Sequence, residues 1–296
     1  MKKIGLIGSQ LIHTYAYAMH FNKPDLEYAS KAKTVPAWQL EIMKRSPGVK
    51  LLGEAQITHI WGGLEGVPED NAGTFNLKVC KKLSEVLEAC DLIMVMDENI
   101  ESRSELIRKA LEAGRHVFAD KIPSDKFAVV SELVELAGKK NVALAAWSQM
   151  GYCPEYQTVR AMPQGGTALV SFSMAPDIIK KYGIHIICSA QGCFPGKIMK
   201  CAMVDANDKQ CLFFVENEHG TKMILGVGGH YPSRSRIDYN AGNKAAVVEN
   251  VDIGKAFHAG AKEILGLLEG KTPVFNSEKM LEAAKLLEKM SGDLGK

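Results

Sequence analysis

The chain has 296 residues, and its 46% hydrophobic content is enough for two compact domains. Its 36 basic and 34 acidic residues are interspersed and give a formal net charge of +2, which provides no strong electrostatic field for nucleic acid or an anionic membrane. No apolar run is long enough for a signal sequence or a membrane span. We therefore expect a cytoplasmic protein that acts on a small molecule.

Strands and helices alternate through the first half of the chain. The predicted strands cover residues 3–7, 56–61, 92–96, 116–119 and 142–147. The predicted helices cover residues 11–21, 77–90, 102–113 and 124–139. This alternation is typical of a doubly wound parallel sheet in an α/β protein, and it predicts a Rossmann nucleotide-binding domain over residues 1–150.

The pattern changes after Gly151, where longer alternating strands are joined by short polar turns. Predicted strands cover residues 167–175, 198–205, 210–216, 222–226 and 236–239. Predicted helices cover residues 180–191, 253–268 and 278–290. Such runs favour a mostly antiparallel sheet, so residues 151–275 are predicted to form a second α/β domain.

Residues 25–55 connect the first predicted helix to the second strand, where a short loop is usual. A helix opened by Pro36 is predicted inside this insertion. The insertion is interpreted either as a lid or subunit contact, or as a helix packed on the flank of the domain.

The cysteines are predicted to be reduced core residues. There are seven of them, and they form no C-x-x-C pair. An odd number without close pairs indicates neither a disulfide framework nor a zinc site, and we expect no metal.

The turn after the first strand retains one of the three glycines that usually accommodate a dinucleotide. Gly8 stands in the first position, while Gln10 and His13 replace the second and third glycines. The first amides of the following helix can still bind an anion. The residues predicted to contact the cofactor here are Gly8, Ser9, Gln10, Leu11, Ile12 and His13.

The end of the second predicted strand does not distinguish NAD from NADP. Gly62 and Gly63 occupy the place of the acid that commonly binds the ribose hydroxyls, and Glu65 is the nearest carboxylate. An alternative interpretation is that the Rossmann domain has lost its cofactor and serves as a scaffold.

Three stretches resemble the Gfo/Idh/MocA oxidoreductases, in particular a branch with a glycine-poor dinucleotide motif. They are the opening strand, turn and helix, the run ALEAGRHVFADKIP at residues 110–123, and Tyr182-Gly183-Ile184-His185. The resemblance implies that the second domain, residues 151–275, has a large open sheet and serves substrate binding and oligomerisation. It also implies a homodimer or homotetramer, and a final helix, residues 276–292, that packs on the nucleotide-binding domain.

The resemblance also implies roles for single residues. Lys121 matches the lysine of the family's E-K-P motif and His185 matches its acid–base histidine, so both are predicted to be catalytic. Asp120 stands where the motif has glutamate, and Lys181 stands where an acid precedes the histidine by four residues. Further candidates are Asp97, Asn99 and Asp120 for the cofactor, and Tyr182 and Gln149 for the substrate.

Two functional hypotheses follow. In the first, the protein uses NAD or NADP to interconvert an alcohol and a carbonyl on a sugar, cyclitol or similar polar metabolite. In the second, it is a non-redox relative that binds a metabolite or performs cofactor-free acid–base chemistry at Lys121 and His185.

Overall fold

A computed structural model describes residues 1–9, 11–45, 52–174, 179–207, 209–228, 235–249 and 251–293. Contacts divide the chain into two compact units. The first unit contains Met1–Ser124, Ala128–Ala146 and Gly260–Ser277. The second contains Asp125–Phe127, Trp147–Ala259 and Glu278–Lys296.

The amino-terminal half forms a doubly wound sheet, as predicted. Its elements are β1 (Lys2–Ser9), α1 (Leu11–Phe21), α2 (Leu26–Lys31), α3 (Ala37–Arg45), β2 (Ala55–Gly63), α4 (Val67–Phe75), β3 (Lys78–Val79), α5 (Leu83–Ala89), β4 (Leu92–Val95), α6 (Ile100–Glu112), β5 (His116–Asp120), α7 (Phe127–Lys140) and β6 (Leu144–Trp147). The strand order is β3-β2-β1-β4-β5-β6, and the pairs from β3 to β5 are parallel. The residues of β4 and residues 117–119 of β5 are buried and apolar on both faces, as helices on both sides of a parallel sheet require.

Residues 77–90 differ from the prediction of one continuous helix. They form the short strand β3, which pairs with β2, and then helix α5. Helix α4 precedes them and was not predicted, because its sequence VPEDNAGTF contains proline, asparagine and glycine, all weak helix formers. It starts after Gly66, whose φ is 77°.

The insertion folds as helices α2 and α3. The Gln39 side-chain amide of α3 lies 3.9 Å from the Met19 sulfur of α1, and Met43 is buried. Between the two helices, the Thr34 amide donates to the Asp70 carboxylate at 2.7 Å, and the Thr34 hydroxyl lies 3.0 Å from the Tyr15 hydroxyl. These contacts support the interpretation of a helix packed on the flank of the domain.

The carboxyl-terminal half contains the second sheet. Two 3₁₀ turns, Gln149–Tyr152 and Pro154–Tyr156, follow β6. The later elements are α8 (Gln157–Arg160), β7 (Thr167–Phe172), α9 (Ile179–Cys193), β8 (Ile198–Ala206), β9 (Gln210–Asn217), β10 (Lys222–Gly228), β11 (Ser235–Ala241), β12 (Lys244–Glu249), α10 (Ile253–Leu268) and α11 (Ser277–Asp293). The strand order is β12-β11-β7-β10-β9-β8, in which β7 and β10 are parallel and the other pairs are antiparallel. The predicted fold class is confirmed.

The last helix, α11, falls in the second unit, and its packing on the nucleotide-binding domain, which the resemblance implies for residues 276–292, stays a prediction. Its partner is α9: the Gln191 side-chain amide donates to the Glu282 carboxylate at 2.9 Å and to the Lys279 carbonyl at 3.2 Å. Leu287 lies so close to Gly183 that a Cβ there would be 2.7 Å from its methyl group. Residues Gly260–Ser277 belong to the first unit.

All seven cysteines are free thiols, and six of them are buried, as the sequence predicted. None of the helices in the described ranges combines the length and apolar character needed to cross a bilayer.

Candidate functional site

Gly8 is the next-to-last residue of β1, at the turn where a dinucleotide would bind. Its φ is 67°, and a Cβ built there would lie 2.8 Å from the Cβ of Asp97, at the end of β4. Conformation and space both therefore require glycine. The structure brings Gly8 and Asp97 together, as predicted, while Gln10 lies outside the described residues and only the backbones of Leu11 and Ile12 are described.

The end of β2 approaches the same turn. Ser9 is buried and its hydroxyl donates to the Gly62 carbonyl at 3.1 Å. A Cβ on Gly63 would lie 2.6 Å from the Ser9 amide nitrogen, so a side chain is excluded here. The two glycines that replace the expected acid thus allow β1 and β2 to end close together.

A cavity of about 420 Å³ lies beyond the end of β2. Its walls come from the loop between α2 and α3 and from the residues after β2, and they include Lys33, Pro36, Leu64 and Glu65. One acidic and one basic side chain therefore line the same cavity. A carboxylate suits ribose hydroxyls and a cation suits a 2′-phosphate.

Asp97 and Asn99 organise the loop between β4 and α6. Asn99 caps α6, because its side-chain oxygen accepts the amides of Glu101 and Ser102 at 2.9 and 3.1 Å. The Asp97 carboxylate accepts the Asn99 amide at 2.9 Å and the Ser102 hydroxyl at 2.8 Å. Both predicted cofactor residues hold the loop in shape beside Gly8.

Arg103 is a buried guanidinium that sequence reasoning missed. It donates to the carbonyls of Asp97 at 2.7 Å, Glu98 at 3.2 Å and Ile122 at 2.7 Å. These bonds join the loop after β4 to the residues after β5. The only sequence signal was an arginine at a position where α6 faces the core.

His13, Asp120 and Lys121 form one cluster at the carboxyl ends of the strands. The His13 Nδ1 lies 2.7 Å from Asp120 Oδ2, and the Lys121 ammonium lies 3.8 Å from the same oxygen. The Asp120 and Lys121 side chains are almost completely buried, and the His13 side chain is 12% exposed. Three residues predicted separately, from the turn and from the E-K-P resemblance, thus meet.

The surroundings of Asp120 favour its ionised form. Burial by itself raises the pKa of a carboxyl, but the charges of His13, Lys121 and Arg103 outweigh it and hold the pKa of Asp120 well below its usual range. Asp120 Oδ1 is buried without a hydrogen-bond partner in the described structure. The carboxylate therefore offers one further acceptor position.

Lys121 has left-handed backbone, with φ at 71°. This conformation is unfavourable for a residue with a side chain and is found where the surroundings enforce it, often at functional sites. The sequence motif departs at this point from the family pattern through the extra Ile122, which is buried and whose carbonyl is held by Arg103.

His185 lies in α9 of the second unit and is almost completely buried. Its Nδ1 is 2.6 Å from the Ser148 hydroxyl. The ring stacks on Phe172 at 5.3 Å and on Tyr182 at 5.7 Å between centroids. The predicted pair of Tyr182 and His185 is therefore in contact, while Ser148 and Phe172 were not predicted.

Gln149 and Lys181 complete the surroundings of the second predicted site. Gln149 is buried in the 3₁₀ turn after β6, and its side-chain oxygen has no hydrogen-bond partner among the described residues. Lys181 stands where the family has an acid, and its ammonium lies 5.2 Å from the centre of the Tyr182 ring. The buried side-chain oxygen of Gln149 can accept a hydrogen bond from a hydroxyl group of a ligand.

The described structure is similar to solved dehydrogenases over nearly the whole chain. A probable dehydrogenase from Thermotoga maritima has a TM-score of 0.75 at 14% identity, covering 99% of this chain and 96% of that one. A myo-inositol dehydrogenase from Corynebacterium glutamicum has a TM-score of 0.74 at 13% identity, covering 100% and 97%. An Agrobacterium radiobacter oxidoreductase in complex with NAD+, L-tartaric acid and magnesium has a TM-score of 0.71 at 12% identity, covering 99% and 96%.

Residues 2–147 match the Gfo/Idh/MocA model, described as an oxidoreductase family with an NAD-binding Rossmann fold. Through this domain the chain belongs to the Gfo/Idh/MocA oxidoreductases. The family match confirms the resemblance and the predicted enzyme class. Comparison with curated protein sequences gives no match.

Proposed function

We propose that this Gfo/Idh/MocA protein is an NAD(P)-dependent dehydrogenase or reductase that interconverts an alcohol and a carbonyl on a sugar, cyclitol or similar polar metabolite. The observation that carries the proposal is the buried cluster of His13, Asp120 and Lys121. It lies at the carboxyl ends of parallel strands, where open α/β sheets bind their ligands.

The turn after β1 fits a dinucleotide. Gly8 keeps the tight conformation, and α1 begins at Leu11 with no acidic residue in its first turn. The first amides of α1 would hold the pyrophosphate, with the positive end of the helix dipole behind them. The bound nicotinamide supplies the hydride acceptor or donor.

The cavity after β2 is the proposed place for the adenosine end of the cofactor. Glu65 would accept the ribose hydroxyls of NAD, and Lys33 would pair with the 2′-phosphate of NADP. The preference between NAD and NADP then depends on whether Glu65 or Lys33 contributes more to binding. The relative affinities of the two nucleotides measure this preference.

Lys121 and His185 are proposed to act on the oxygen atom that changes between alcohol and carbonyl. A cationic Lys121, fixed beside Asp120, would stabilise negative charge on an alcohol oxygen as the hydride leaves. His185 would exchange a proton or a hydrogen bond with that oxygen. Gln149 and Tyr182 are proposed to bind hydroxyl groups of the substrate.

The experiment is a screen of cyclitols and sugars with NAD+ and NADP+, followed by the absorbance of the reduced nicotinamide. With an active substrate, Lys121→Ala and His185→Ala should each lower kcat by about 100-fold or more while cofactor affinity persists. Lys126→Ala, five positions further along the chain, is the matched lysine control. Unchanged turnover in both variants would show that Lys121 and His185 are not the catalytic residues.

We also propose a homodimer or homotetramer that assembles through the second sheet. Ala202, Phe214, Ile224 and Leu169 are directly paired across β8, β9, β10 and β7. Leu169 is exposed and Phe214 and Ile224 are half-buried, so this row forms an apolar band on one face of the sheet. Bands of this kind on a protein surface mark association sites.

A further inference from the structure

Ser148 lies where β6 ends, and its hydroxyl makes two hydrogen bonds. It caps the following 3₁₀ turn by accepting the Met150 amide proton at 3.2 Å. It also lies 2.6 Å from Nδ1 of His185, which is 37 residues away in the sequence. Ser148 is completely buried, so both bonds are made away from solvent.

The direction of the second bond follows from the first. A serine hydroxyl has one proton to donate, and a backbone amide can only donate. Because Met150 is the donor in its bond, the Ser148 proton needs an acceptor, and His185 Nδ1 is the acceptor within reach. A buried hydroxyl proton that pointed elsewhere would lose a hydrogen bond that no solvent could replace.

The neutral imidazole therefore accepts at Nδ1 and carries its proton on Nε2. Its plane is fixed as well, since Phe172 and Tyr182 stack on the ring with interplanar angles of 21° and 23°. A second buried serine, Ser189, donates to the backbone carbonyl of His185 at 2.9 Å and accepts from the Tyr156 hydroxyl at 3.0 Å, and neither bond involves a ring nitrogen of His185.

We propose that Ser148 is a positioning residue that holds His185 as the neutral Nε2–H tautomer, so that the ring presents a hydrogen-bond donor to the substrate oxygen. Ser148 thereby takes the place of the carboxylate that the family has where this chain has Lys181. A carboxylate would instead accept from Nδ1–H and leave a basic nitrogen at Nε2.

This inference rests on the proposed function for its catalytic meaning, although not for its geometry. In the proposed reaction the Nε2–H group would donate to the carbonyl or alkoxide oxygen and stabilise the charge that develops there. No proton leaves the ring in this role; in carbonyl reduction the Lys121 ammonium would supply the proton to the alkoxide, and in alcohol oxidation the Lys121 amine would take it back. Because Ser148 occupies Nδ1, a substrate oxygen would be reached through Nε2.

The test is a long-range ¹H–¹⁵N correlation spectrum of the ¹⁵N-histidine-labelled full chain at a pH of about 9, where imidazoles are neutral. The His185 signals are assigned by their loss in His185→Gln. We expect the Nε2–H pattern in the wild type and in Ser148→Thr, which keeps the hydroxyl. In Ser148→Ala, the Nδ1 resonance should move downfield as its hydrogen bond is lost.

Two further variants sharpen the result. Ser148→Asp should convert His185 to the Nδ1–H tautomer, and Ser189→Ala, which removes a buried hydroxyl bonded to the same residue, should leave the Nδ1 resonance unchanged. An Nδ1–H pattern in the wild type would overturn the proposal, as would an Nδ1 resonance that does not respond to Ser148→Ala.

The spectra need neither cofactor nor substrate, so failure of the proposed function would leave this measurement intact. If turnover is found, Ser148→Ala should lower kcat by about 10- to 100-fold with little change in KM, because the ring loses its fixed orientation. Ser148→Thr should recover most of that activity. An equal loss in Ser189→Ala would reduce Ser148 to a structural role.

Discussion

At the scale of single residues, Asp120 is the group on which the candidate site depends most. It is buried completely, it contacts His13 and Lys121 through one oxygen, and its other oxygen has no partner in the described structure. Removing one member of a buried charged cluster leaves the others uncompensated, which usually destabilises a protein by about 3–5 kcal/mol.

Asp120→Asn is therefore expected to lower the free energy of unfolding by about 3–5 kcal/mol at neutral pH. The pKa of Asp120 lies below that of an unfolded aspartate, about 3.9, so its stabilisation is present above that pH and is lost as the pH falls through the folded-state pKa. The difference between wild type and Asp120→Asn in urea unfolding should thus shrink below a pH of about 4.

Asp238→Asn provides the control, because Asp238 pairs with Arg236 near the surface at 2.7 Å and such pairs contribute about 1 kcal/mol or less. Equal effects of the two substitutions, or a difference that does not depend on acid, would argue against an ionised Asp120.

The sequence named His13, Asp120 and Lys121 but could not show that they meet. His13 and Asp120 are 107 residues apart, and their contact exists only once α1 and β5 are packed in one unit. Ser148 was missed for the same reason, since a serine after a strand reads as a turn or cap residue, and its bond to His185 depends on the packing of α9.

At the scale of elements, Arg103 ties α6 to the loop that carries Lys121. Its guanidinium donates to carbonyls before α6 and to the carbonyl of Ile122 after β5. The planar fork of arginine can satisfy these acceptors together, which a lysine ammonium cannot do with the same geometry.

Arg103→Lys should therefore lower the free energy of unfolding by about 2–4 kcal/mol, although the charge is kept. Arg108→Lys on the same helix is the matched control, because Arg108 makes a surface ion pair with Glu132 at 3.1 Å. Urea unfolding of both variants measures the difference. Similar, small effects of the two substitutions would contradict the role of Arg103 in joining α6 to the loop after β5.

Long amphipathic elements were predicted well, and short ones were not. Helix α10 has the predicted bounds, Ile253–Leu268, because several turns repeat the apolar pattern. Strand β3 has two residues, too few to show an alternation of apolar and polar side chains. It is recognised as a strand only by its pairing with β2. Helix α11 was predicted as an element, but its apolar stripe did not specify which unit it packs on.

At the scale of the whole molecule, the sequence was sufficient for the fold class and the family but not for assembly. The row that contains the apolar band crosses the charged Asp238 on β11, which pairs with Leu169, and then reaches Val247 on β12, which is 54% exposed. A second copy of the chain would bury this band, and a charge placed in its centre would oppose burial.

Leu169→Lys should therefore reduce the molar mass in light scattering from that of a dimer or tetramer to that of a monomer. Leu64→Lys, which changes an exposed leucine of the Rossmann unit, should leave the mass unchanged. A wild-type protein that is monomeric at micromolar concentration, or a Leu169→Lys variant that stays assembled, would contradict assembly through this sheet.

Binding of a nicotinamide dinucleotide at the turn that contains Gly8 can be measured by fluorescence titration with NADH and NADPH. We predict saturable binding of at least one of them below millimolar concentration, weakened about tenfold or more by Gly8→Ala, whose Cβ would meet Asp97. Gly114→Ala, with a φ of 72° and open space around it, should bind as the wild type does. If neither nucleotide binds at millimolar concentration, the protein is not an NAD(P)-dependent enzyme.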